Sequence, residues 1–400
     1  MRKYAPIASL LLAACAAGPS VSDAPPLRPA AVAVVFDEAN ADPVIVEGQA
    51  DHETGRELLA NDPVRIASIS KLVMALAALE LVAEGKIEVD DDVSQYLGWE
   101  LRHPDFPDTK ITLPMLLSHR SGLRDNAGYV IPLGESLEEH LRQPEAWYRG
   151  APPGEGPFEY ANLGSPVVAT VLEGASGERF DRLVERLVFA PLEIEACFNW
   201  IGCSDAMAAR AVTLYRSNGE IARDDPADRP PNCTIPVAAN TTCSLEDYVP
   251  GTNASIFSPQ GGVRIGMIDL ARLGQELLKP AARSVFSERA LGELVFSMMA
   301  KPEPKAQDFF CVYGFHIQMI EAPQEDCEDA LFGDGRPRIG HAGEAYGLRS
   351  GLWLDHEAGT GIAYFVTQVP DRSAPDEGGF APEEVALVRR AMEKATTAPK

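Results

Sequence analysis

The sequence predicts an α+β fold: one antiparallel sheet built from both termini and flanked by helices, with an inserted, mostly helical domain. Apolar runs at residues 30–37 and 43–48 flank a polar turn and predict a β-hairpin. From residue 312 onward, short apolar runs separated by tight turns predict successive antiparallel strands. Helical periodicity dominates the residues between these regions. Strands at both ends with helices between them therefore indicate one shared sheet.

The order of these elements divides the chain into two parts. The sheet domain is expected to comprise residues 29–100 and 256–400, and the helical insertion residues 101–255. The insertion includes a Pro- and Asn-rich stretch at 197–252, predicted to be a loop region held by disulfides. Helices are expected within residues 64–89, 90–96, 111–123, 163–174, 178–189, 268–278, 287–299 and 382–395, and strands within 312–320, 338–343, 347–355 and 360–369.

The long helix predicted within residues 64–89 is apolar on almost all of its faces. Leucines recur at helical spacing and alanines fill the other faces, so most of this helix should be buried. Gly85 is placed to end it. The leucines that define the spacing are Leu72, Leu76 and Leu79.

Ser68 and Lys71 lie three residues apart at the start of this helix and therefore share one face of its first turn. A lysine amine beside a serine hydroxyl can take the hydroxyl proton, and the free N–H groups of the turn can hold an oxyanion. To act at neutral pH, Lys71 needs its pKa lowered from about 10.4 to about 7, which takes roughly 4–5 kcal/mol of burial and electrostatics. A capping serine followed by a solvent-facing lysine is the alternative interpretation.

The net charge and the N-terminus constrain partners and location. With 59 acidic and 35 basic residues, the charge of −24 argues against nucleic acid and anionic lipid as partners. A basic start, an apolar run at residues 7–14 and the sequence Leu-Ala-Ala-Cys resemble a bacterial lipoprotein signal. Residues 1–14 would then be a signal peptide, Cys15 the lipidated residue and 15–28 a flexible tether. The protein is expected to be exported to the periplasmic face of a bacterial membrane, and the outer membrane is favoured over the inner one. The alternative is an ordinary signal peptide that is cleaved near Ala17.

Six further cysteines in an oxidising compartment predict disulfides. Pairing of neighbours is the simplest of the 15 possible arrangements, although the sequence does not fix it. A metal site is disfavoured because there is no CxxC and the histidines are scattered, and no cofactor is expected. The neighbour pairs are Cys197–Cys203, Cys233–Cys243 and Cys311–Cys327.

Two other short sequence patterns accompany Ser68-x-x-Lys71. Tyr160-Ala161-Asn162 and His341-Ala342-Gly343 each occur once. With Ser68-x-x-Lys71, their order and spacing resemble the three motifs of the serine β-lactamase and penicillin-binding-protein superfamily. The resemblance is closest to the class C-like branch of β-lactamases, D-alanyl-D-alanine carboxypeptidases, D-aminopeptidases and esterases. It implies the β-lactamase/transpeptidase-like fold.

The resemblance also implies a role for each motif residue. Ser68 would be the acylated nucleophile, Lys71 its proton acceptor, Tyr160 the general acid and base, and Asn162 the residue that orients substrate and Lys71. A tyrosine near a lysine ammonium would also ionise more easily. His341 would occupy the third-motif position on an edge strand. The expected oxyanion hole is the backbone N–H groups of Ser68 and Glu344, and the expected substrate contacts are Ala342, Gly343 and Arg349.

The third motif departs from the Lys-Thr-Gly usual in β-lactamases. His341 should be mostly neutral at pH 7, Ala342 lacks the hydroxyl that would bind a carboxylate, and Glu344 adds a like charge. Arg264 or Arg349 could restore a carboxylate contact, or both could be structural. The sequence therefore favours hydrolysis of a small ester, amide or peptide. A true β-lactamase, a carboxypeptidase and a catalytically poor acyl-binding sensor lipoprotein are the alternatives. The oligomeric state is not predicted.

Overall fold

The structure is a computed structural model that describes residues 28–222, 234–288, 290, 309–322, 327–370 and 379–397. The predicted helix at residues 287–299, the signal peptide and Cys15 lie wholly or largely outside these ranges. In the described part of the chain, no helix is both long and apolar enough to cross a bilayer.

The main sheet is antiparallel and is built from both ends of the chain, as predicted. Its strand order is β2-β1-β12-β11-β10-β9-β8. Strands near the N-terminus thus pair directly with the last strand, for example with Ala33 opposite Tyr364. The strands are β1 (Ala31–Asp37), β2 (Ala41–Glu47), β8 (Val312–Gly314), β9 (Ile317–Ile320), β10 (Arg338–Ala345), β11 (Leu348–Asp355) and β12 (Thr360–Val366).

Five shorter strands form two small sheets beside the main one. In one of them, β7 (Val263–Ile265) lies between β5 (Val64–Arg65), which precedes Ser68, and β6 (Ala196–Phe198). The short strands are β3 (Gln49–Asp51), β4 (Arg56–Glu57), β5 (Val64–Arg65), β6 (Ala196–Phe198) and β7 (Val263–Ile265).

Residues 312–320 are not the single strand that their apolar pattern predicts. They form the β8–β9 hairpin, because Phe315 and His316 both adopt left-handed backbone angles, with φ of 49° and 57°. Such angles reverse the chain. The N–H groups of these two residues are held from outside the hairpin: Phe315 donates to Ser118 Oγ and His316 to the Leu117 carbonyl.

Helices cover both faces of the main sheet. Alternate side chains of β1 point to opposite faces. Val32, Val34 and Phe36 join the core that contains helices α1 (Ile69–Ala83) and α8 (Met267–Leu278), whereas Ala31 and Ala33 pack with α9 (Pro382–Thr397). The helices are α1 (Ile69–Ala83), α2 (Ser94–Leu97), α3 (Leu113–Leu117), α4 (Leu137–Leu141), α5 (Gly164–Ser176), α6 (Phe180–Val184), α7 (Asp205–Ala209), α8 (Met267–Leu278) and α9 (Pro382–Thr397).

The central helix α1 is buried on nearly all sides, as its composition predicts. It lies between strands β10 and β11 of the sheet and helices α5 and α6. It ends just before Gly85, which has a φ of +68°. Burying this helix between the sheet and α5 and α6 fixes the position of its first turn, and therefore of Ser68.

Two other helices are shorter than their sequence patterns predict. The helix expected over residues 111–123 spans only Leu113–Leu117, because the chain turns sharply at His119 with a φ of 53°. The helix expected over 178–189 spans Phe180–Val184 and continues as a π-helical turn, Glu185–Phe189. In the described part of 197–252 the chain is largely irregular, with α7 as its helix.

Two of the predicted neighbour disulfides are present, Cys197–Cys203 and Cys311–Cys327. Cys243 is also disulfide-bonded. Its predicted partner, Cys233, lies outside the described residues. The Cys311–Cys327 bridge closes the segment that leads from Phe310 through the β8–β9 hairpin.

Candidate active site

The three motif segments meet in a single cleft of about 430 Å³. Ser68 contributes from the start of α1, Tyr160 and Asn162 from the loop before α5, and His341 to Gly343 from β10. Lys71 lies directly behind Ser68 and is fully buried. The sequence motifs therefore converge although they are separated by up to 273 residues along the chain (341 minus 68).

The Lys71 amine is held by three oxygen atoms. Its Nζ lies 3.1 Å from Ser68 Oγ, 2.8 Å from Asn162 Oδ1 and 3.0 Å from the Gln260 carbonyl oxygen. The Asn162 amide is itself oriented by Asp125, whose carboxylate accepts bonds from Asn162 Nδ2 (3.0 Å) and the Leu163 N–H (2.9 Å). Asp125 thus fixes which atom of Asn162 faces the lysine.

These contacts determine what a neutral Lys71 can do. The Asn162 Oδ1 and the Gln260 carbonyl can only accept hydrogen bonds, so they take the two N–H groups of the neutral amine. Of the three neighbours, only the Ser68 hydroxyl can donate. The amine lone pair is therefore left facing the Ser68 proton, the arrangement that a general base requires.

Burial lowers the pKa of Lys71 to about 7, and the nearby negative charge of Asp125 opposes this shift. Removing the ammonium from water disfavours its charged form. This pKa matches the value that the Ser-x-x-Lys hypothesis requires, with burial as its main cause.

Tyr160 is the second titratable group next to Ser68, and the two side chains are hydrogen-bonded. The Lys71 amine lies over the Tyr160 ring, 4.8 Å from its centroid. Burial raises the pKa of the Tyr160 phenol well above its usual value. The expectation that Lys71 makes this phenol easier to ionise is therefore wrong, because removing the phenolate from water raises the pKa of Tyr160. Tyr160 is positioned as a protonated phenol.

His341 reaches the cleft, but its two ring nitrogens are already engaged. Nδ1 lies 2.5 Å from the Ala342 carbonyl oxygen and Nε2 lies 2.9 Å from the Tyr313 hydroxyl. Burial lowers the pKa of His341 to about 3, with Lys71 adding to the effect. The ring is thus neutral, as expected, with Nδ1 donating and Nε2 accepting. It borders the site without a free nitrogen to offer substrate.

Beyond Gly340, no strand in the described part of the chain pairs with the edge of β10 that faces away from β11, because β9 pairs only with Arg338 to Gly340. Gly343 approaches the Ser68 loop so closely that a Cβ there would lie 2.4 Å from the Ile66 carbonyl oxygen. The Ser350 hydroxyl, on neighbouring β11, also donates to that carbonyl at 3.0 Å. These contacts bring the backbone at Gly343 and Glu344 beside Ser68.

Arg349, an expected substrate contact, is paired within the protein. It lies opposite Glu344 in the β10–β11 ladder, with its Nη2 2.8 Å from Glu344 Oε1. The Arg349 side chain is 3% exposed and that of Glu344 is 50% exposed. The other arginine considered, Arg264, is buried over Trp200 and donates to the Gly262 carbonyl.

Sequence reasoning missed two residues of this site. Asp125 follows the Leu-Leu-Ser-His-Arg-Ser-Gly-Leu segment but belongs to no motif, and Gln260 acts through its backbone carbonyl, which no side-chain pattern reports. The Gly261-Gly262 pair that follows Gln260 was the available signal for a close backbone approach. His119, in the same segment, is buried and its Nδ1 accepts the Ala161 N–H, a structural contact.

The Ser68 hydroxyl is hydrogen-bonded to a buried lysine and to a tyrosine, beside a sheet built from both termini. This is the arrangement of an active-site-serine protein with a Ser-Lys-Tyr centre. The family model described as Beta-lactamase matches residues 28–384. The chain therefore belongs to the beta-lactamase family.

Characterised relatives align with part of the chain. Esterase EstB from Burkholderia gladioli is 34% identical over 166 residues, which is 38% of this chain and 42% of the esterase. The D-alanyl-D-alanine-carboxypeptidase/endopeptidase AmpH from Escherichia coli K12 is 31% identical over 137 residues, 32% of this chain and 34% of AmpH. These alignments span less than half the length of either relative.

Solved structures share the fold over nearly the whole chain. A D-amino acid amidase from Ochrobactrum anthropi SV3 superposes with a TM-score of 0.62 at 16% identity, covering 93% of this chain and 95% of the amidase. A class C beta-lactamase gives a TM-score of 0.63 at 14% identity, covering 93% and 92%. At such identities the likeness establishes the β-lactamase/transpeptidase-like fold.

Proposed function

We propose that this protein is a serine hydrolase that cleaves an ester or amide through an acyl-Ser68 intermediate. The observation that carries the proposal is the Lys71 amine, whose two other partners are obligate acceptors and whose lone pair therefore faces the Ser68 hydroxyl. The pKa of about 7 keeps a large share of this amine neutral at physiological pH. The esterase, peptidase and amidase names among the similar proteins support the same reaction class.

Acylation begins when Lys71 accepts the Ser68 proton as Oγ bonds to the substrate carbonyl carbon. The carbonyl electrons move to oxygen, which the N–H groups of Ser68 and Glu344 would stabilise; each such donor contributes about 10²–10³ in rate. When the tetrahedral intermediate collapses, Tyr160 gives its phenolic proton to the departing alcohol or amine, and the proton held by Lys71 restores the phenol. A protonated Tyr160 suits this role as general acid.

Deacylation follows the same path in reverse. Water takes the position of the departed group and loses its proton to the Tyr160–Lys71 pair as it attacks the acyl carbon. The oxyanion is held by the same two N–H groups. Ser68 Oγ then leaves with a proton, and the carboxylic acid product is released.

Ester or peptide-like amide hydrolysis is favoured over β-lactam hydrolysis. Ala342 offers no hydroxyl to a substrate carboxylate, and His341 carries no charge to attract one. A hydrogen bond to a charged group contributes about 1.5–3 kcal/mol, so these losses weaken recognition of an anionic substrate.

Export to the periplasmic side of a membrane, with Cys15 as the lipid anchor, is part of the same proposal. It is supported by the disulfides Cys197–Cys203 and Cys311–Cys327, which persist in oxidising compartments. In cells expressing the full chain, labelled palmitate should enter the wild-type protein and not Cys15→Ser. Label in both, or in neither, would contradict lipidation at Cys15.

The hydrolase proposal is tested by incubating the protein with a fluorophosphonate, a penicillin and a p-nitrophenyl ester while following intact mass and released p-nitrophenol. The expected result is a fluorophosphonate adduct on the wild type, none on Ser68→Ala, and continuous release of p-nitrophenol. A stable adduct without turnover would instead support an acyl-binding sensor. An equal adduct on Ser68→Ala would refute acylation at Ser68.

A further inference from the structure

The cleft contains an ion pair that no catalytic step above uses. The Lys-Thr-Gly motif usual in β-lactamases offers a substrate carboxylate a cation and a hydroxyl. In this region the structure has Glu344 paired with Arg349. The Arg349 side chain is 3% exposed and its Nη2 is paired with Glu344, so a substrate carboxylate would have to compete with Glu344 for it. The Glu344 side chain is half exposed and lines the cleft.

The second arginine that lines the cleft is also engaged. Arg65 Nη1 donates to the Gly261 carbonyl at 2.5 Å, and its guanidinium lies over the Tyr346 ring, 5.3 Å from the centroid. The remaining acid in the lining, Glu384, is buried and accepts a bond from the Tyr364 hydroxyl. Among the described lining residues, Glu344 therefore presents the most exposed charge, and it is negative.

Part of the cleft lining is aromatic. Phe310 stacks on Tyr160 with ring centroids 4.6 Å apart and planes 7° from parallel. Phe309 contacts both Phe310 and Phe380, each with a centroid separation of 5.0 Å. All four rings border the cleft. An acyl or leaving group that is apolar would bury surface against them, whereas a charged one would lose hydration without compensation.

We propose that the Glu344–Arg349 pair makes the cleft select neutral, apolar acyl donors and reject donors that carry a carboxylate. This inference rests on the hydrolase function proposed above. Glu344 occupies the guanidinium that would bind the substrate carboxylate and repels that carboxylate through its own charge. Glu344 is thus the specificity-determining side chain, separate from its backbone N–H, which any residue would supply.

The test compares two esters that differ in one charge, mono-p-nitrophenyl adipate and its methyl ester. For the wild type, kcat/KM should favour the methyl ester by about tenfold or more, since like-charge repulsion and a lost ionic hydrogen bond are together worth at least a tenfold change. In Glu344→Gln, Arg349 becomes available to the carboxylate and the preference should fall at least tenfold. In the double variant Glu344→Gln/Arg349→Gln, the gain on the carboxylate ester should disappear.

Glu357→Gln is the matched control, because it removes the same charge from an exposed turn at the far end of β11. It should leave the ester preference unchanged. A wild type that hydrolyses both esters within twofold of each other overturns the inference while leaving the hydrolase function intact. A wild type that hydrolyses neither refutes the proposed function. An unchanged preference in folded Glu344→Gln also overturns the inference.

The aromatic part of the proposal has its own readout. Phe309→Ala should reduce the ratio of kcat/KM for p-nitrophenyl 4-phenylbutanoate to that for p-nitrophenyl acetate by about threefold to tenfold, the usual effect of removing one aromatic partner. The acetate ester serves as the internal control, because it is too short to use the wall fully. A ratio that stays constant or rises would remove the aromatic wall from the account of selectivity.

Discussion

At the scale of single residues, the site depends on how Lys71 is kept neutral beside Ser68. Burial drives its pKa down to about 7, and Asp125 pulls in the opposite direction. The sequence could predict the need for this shift from Ser68 and Lys71 alone. It could not predict Asp125, because the acid acts through the Asn162 amide and no spacing links the two residues.

Asp125→Asn tests this balance of charges. Removing a negative charge near Lys71 should lower the Lys71 pKa further, so the rise of the acylation rate with pH should move to lower pH than in the wild type. The rate should also fall, since Asn162 loses one of its fixed contacts. The measurement is kcat/KM for a neutral p-nitrophenyl ester between pH 5 and 9.

The control is Asp108→Asn, which removes the same charge from an exposed loop position. Its pH profile should match that of the wild type. If Asp125→Asn shifts the profile to higher pH or leaves it in place, Asp125 does not act on Lys71 as described.

At the scale of elements, β10 and the start of α1 must touch for the site to form. Gly343 permits this contact, since a Cβ would lie 2.4 Å from the Ile66 carbonyl oxygen and 2.3 Å from Ser350 Oγ. The sequence motif identified Gly343. The need for glycine at this position comes from a close contact with a backbone segment far away in the chain, which the motif does not show. The same limitation explains the β8–β9 hairpin: the apolar pattern of residues 312–320 cannot report that Leu117 and Ser118 hold a turn at its centre.

Gly343→Ala should push β10 away from the Ser68 loop. Displacements of about 1 Å at an active site cost about 10² in rate, so kcat/KM should fall at least a hundredfold. Overpacking should also lower the free energy of unfolding by about 1–3 kcal/mol. Ester kinetics and chemical denaturation measure the two effects.

Gly359→Ala provides the comparison, because its Cβ would meet no atom within 4 Å although its φ is +65°. Backbone strain alone should reduce its stability by about 1–2 kcal/mol and leave kcat/KM unchanged. Equal losses of activity in both glycine variants would show that local strain, and not the contact with Ile66, explains the effect at Gly343.

At the scale of the whole molecule, the architecture was predictable because strands at both termini and helices between them allow few arrangements. The sheet and the buried helix α1 follow from such patterns, whereas the meeting of the three motifs was expected from the family resemblance. The short helices of the insertion were harder to predict. Their ends are set by tertiary contacts and by left-handed residues such as His119, which a periodic pattern does not encode.

The disulfides offer a test at this scale. Cys311–Cys327 closes a loop with a sequence separation of 16 residues, and Cys197–Cys203 one of 6. On loop entropy, replacing the first pair by alanine should lower the free energy of unfolding by about 3 kcal/mol and the second by about 2 kcal/mol. Denaturant titration of the two double variants checks the order. A larger loss for the shorter loop would show that native packing, not loop closure, sets their contributions.

The most direct test of the central claim is the rate at which Ser68 becomes acylated as a function of pH. The protein is mixed rapidly with a neutral p-nitrophenyl ester and the reaction is stopped with acid at set times. Mass mapping of the peptide that contains Ser68 then measures the acylation rate. It should rise with pH through a midpoint near 7, as Lys71 loses its proton, and no adduct should form on Ser68→Ala. An acyl group on another residue, or a rate that does not change between pH 5 and 9, would contradict Lys71 as the base that activates Ser68.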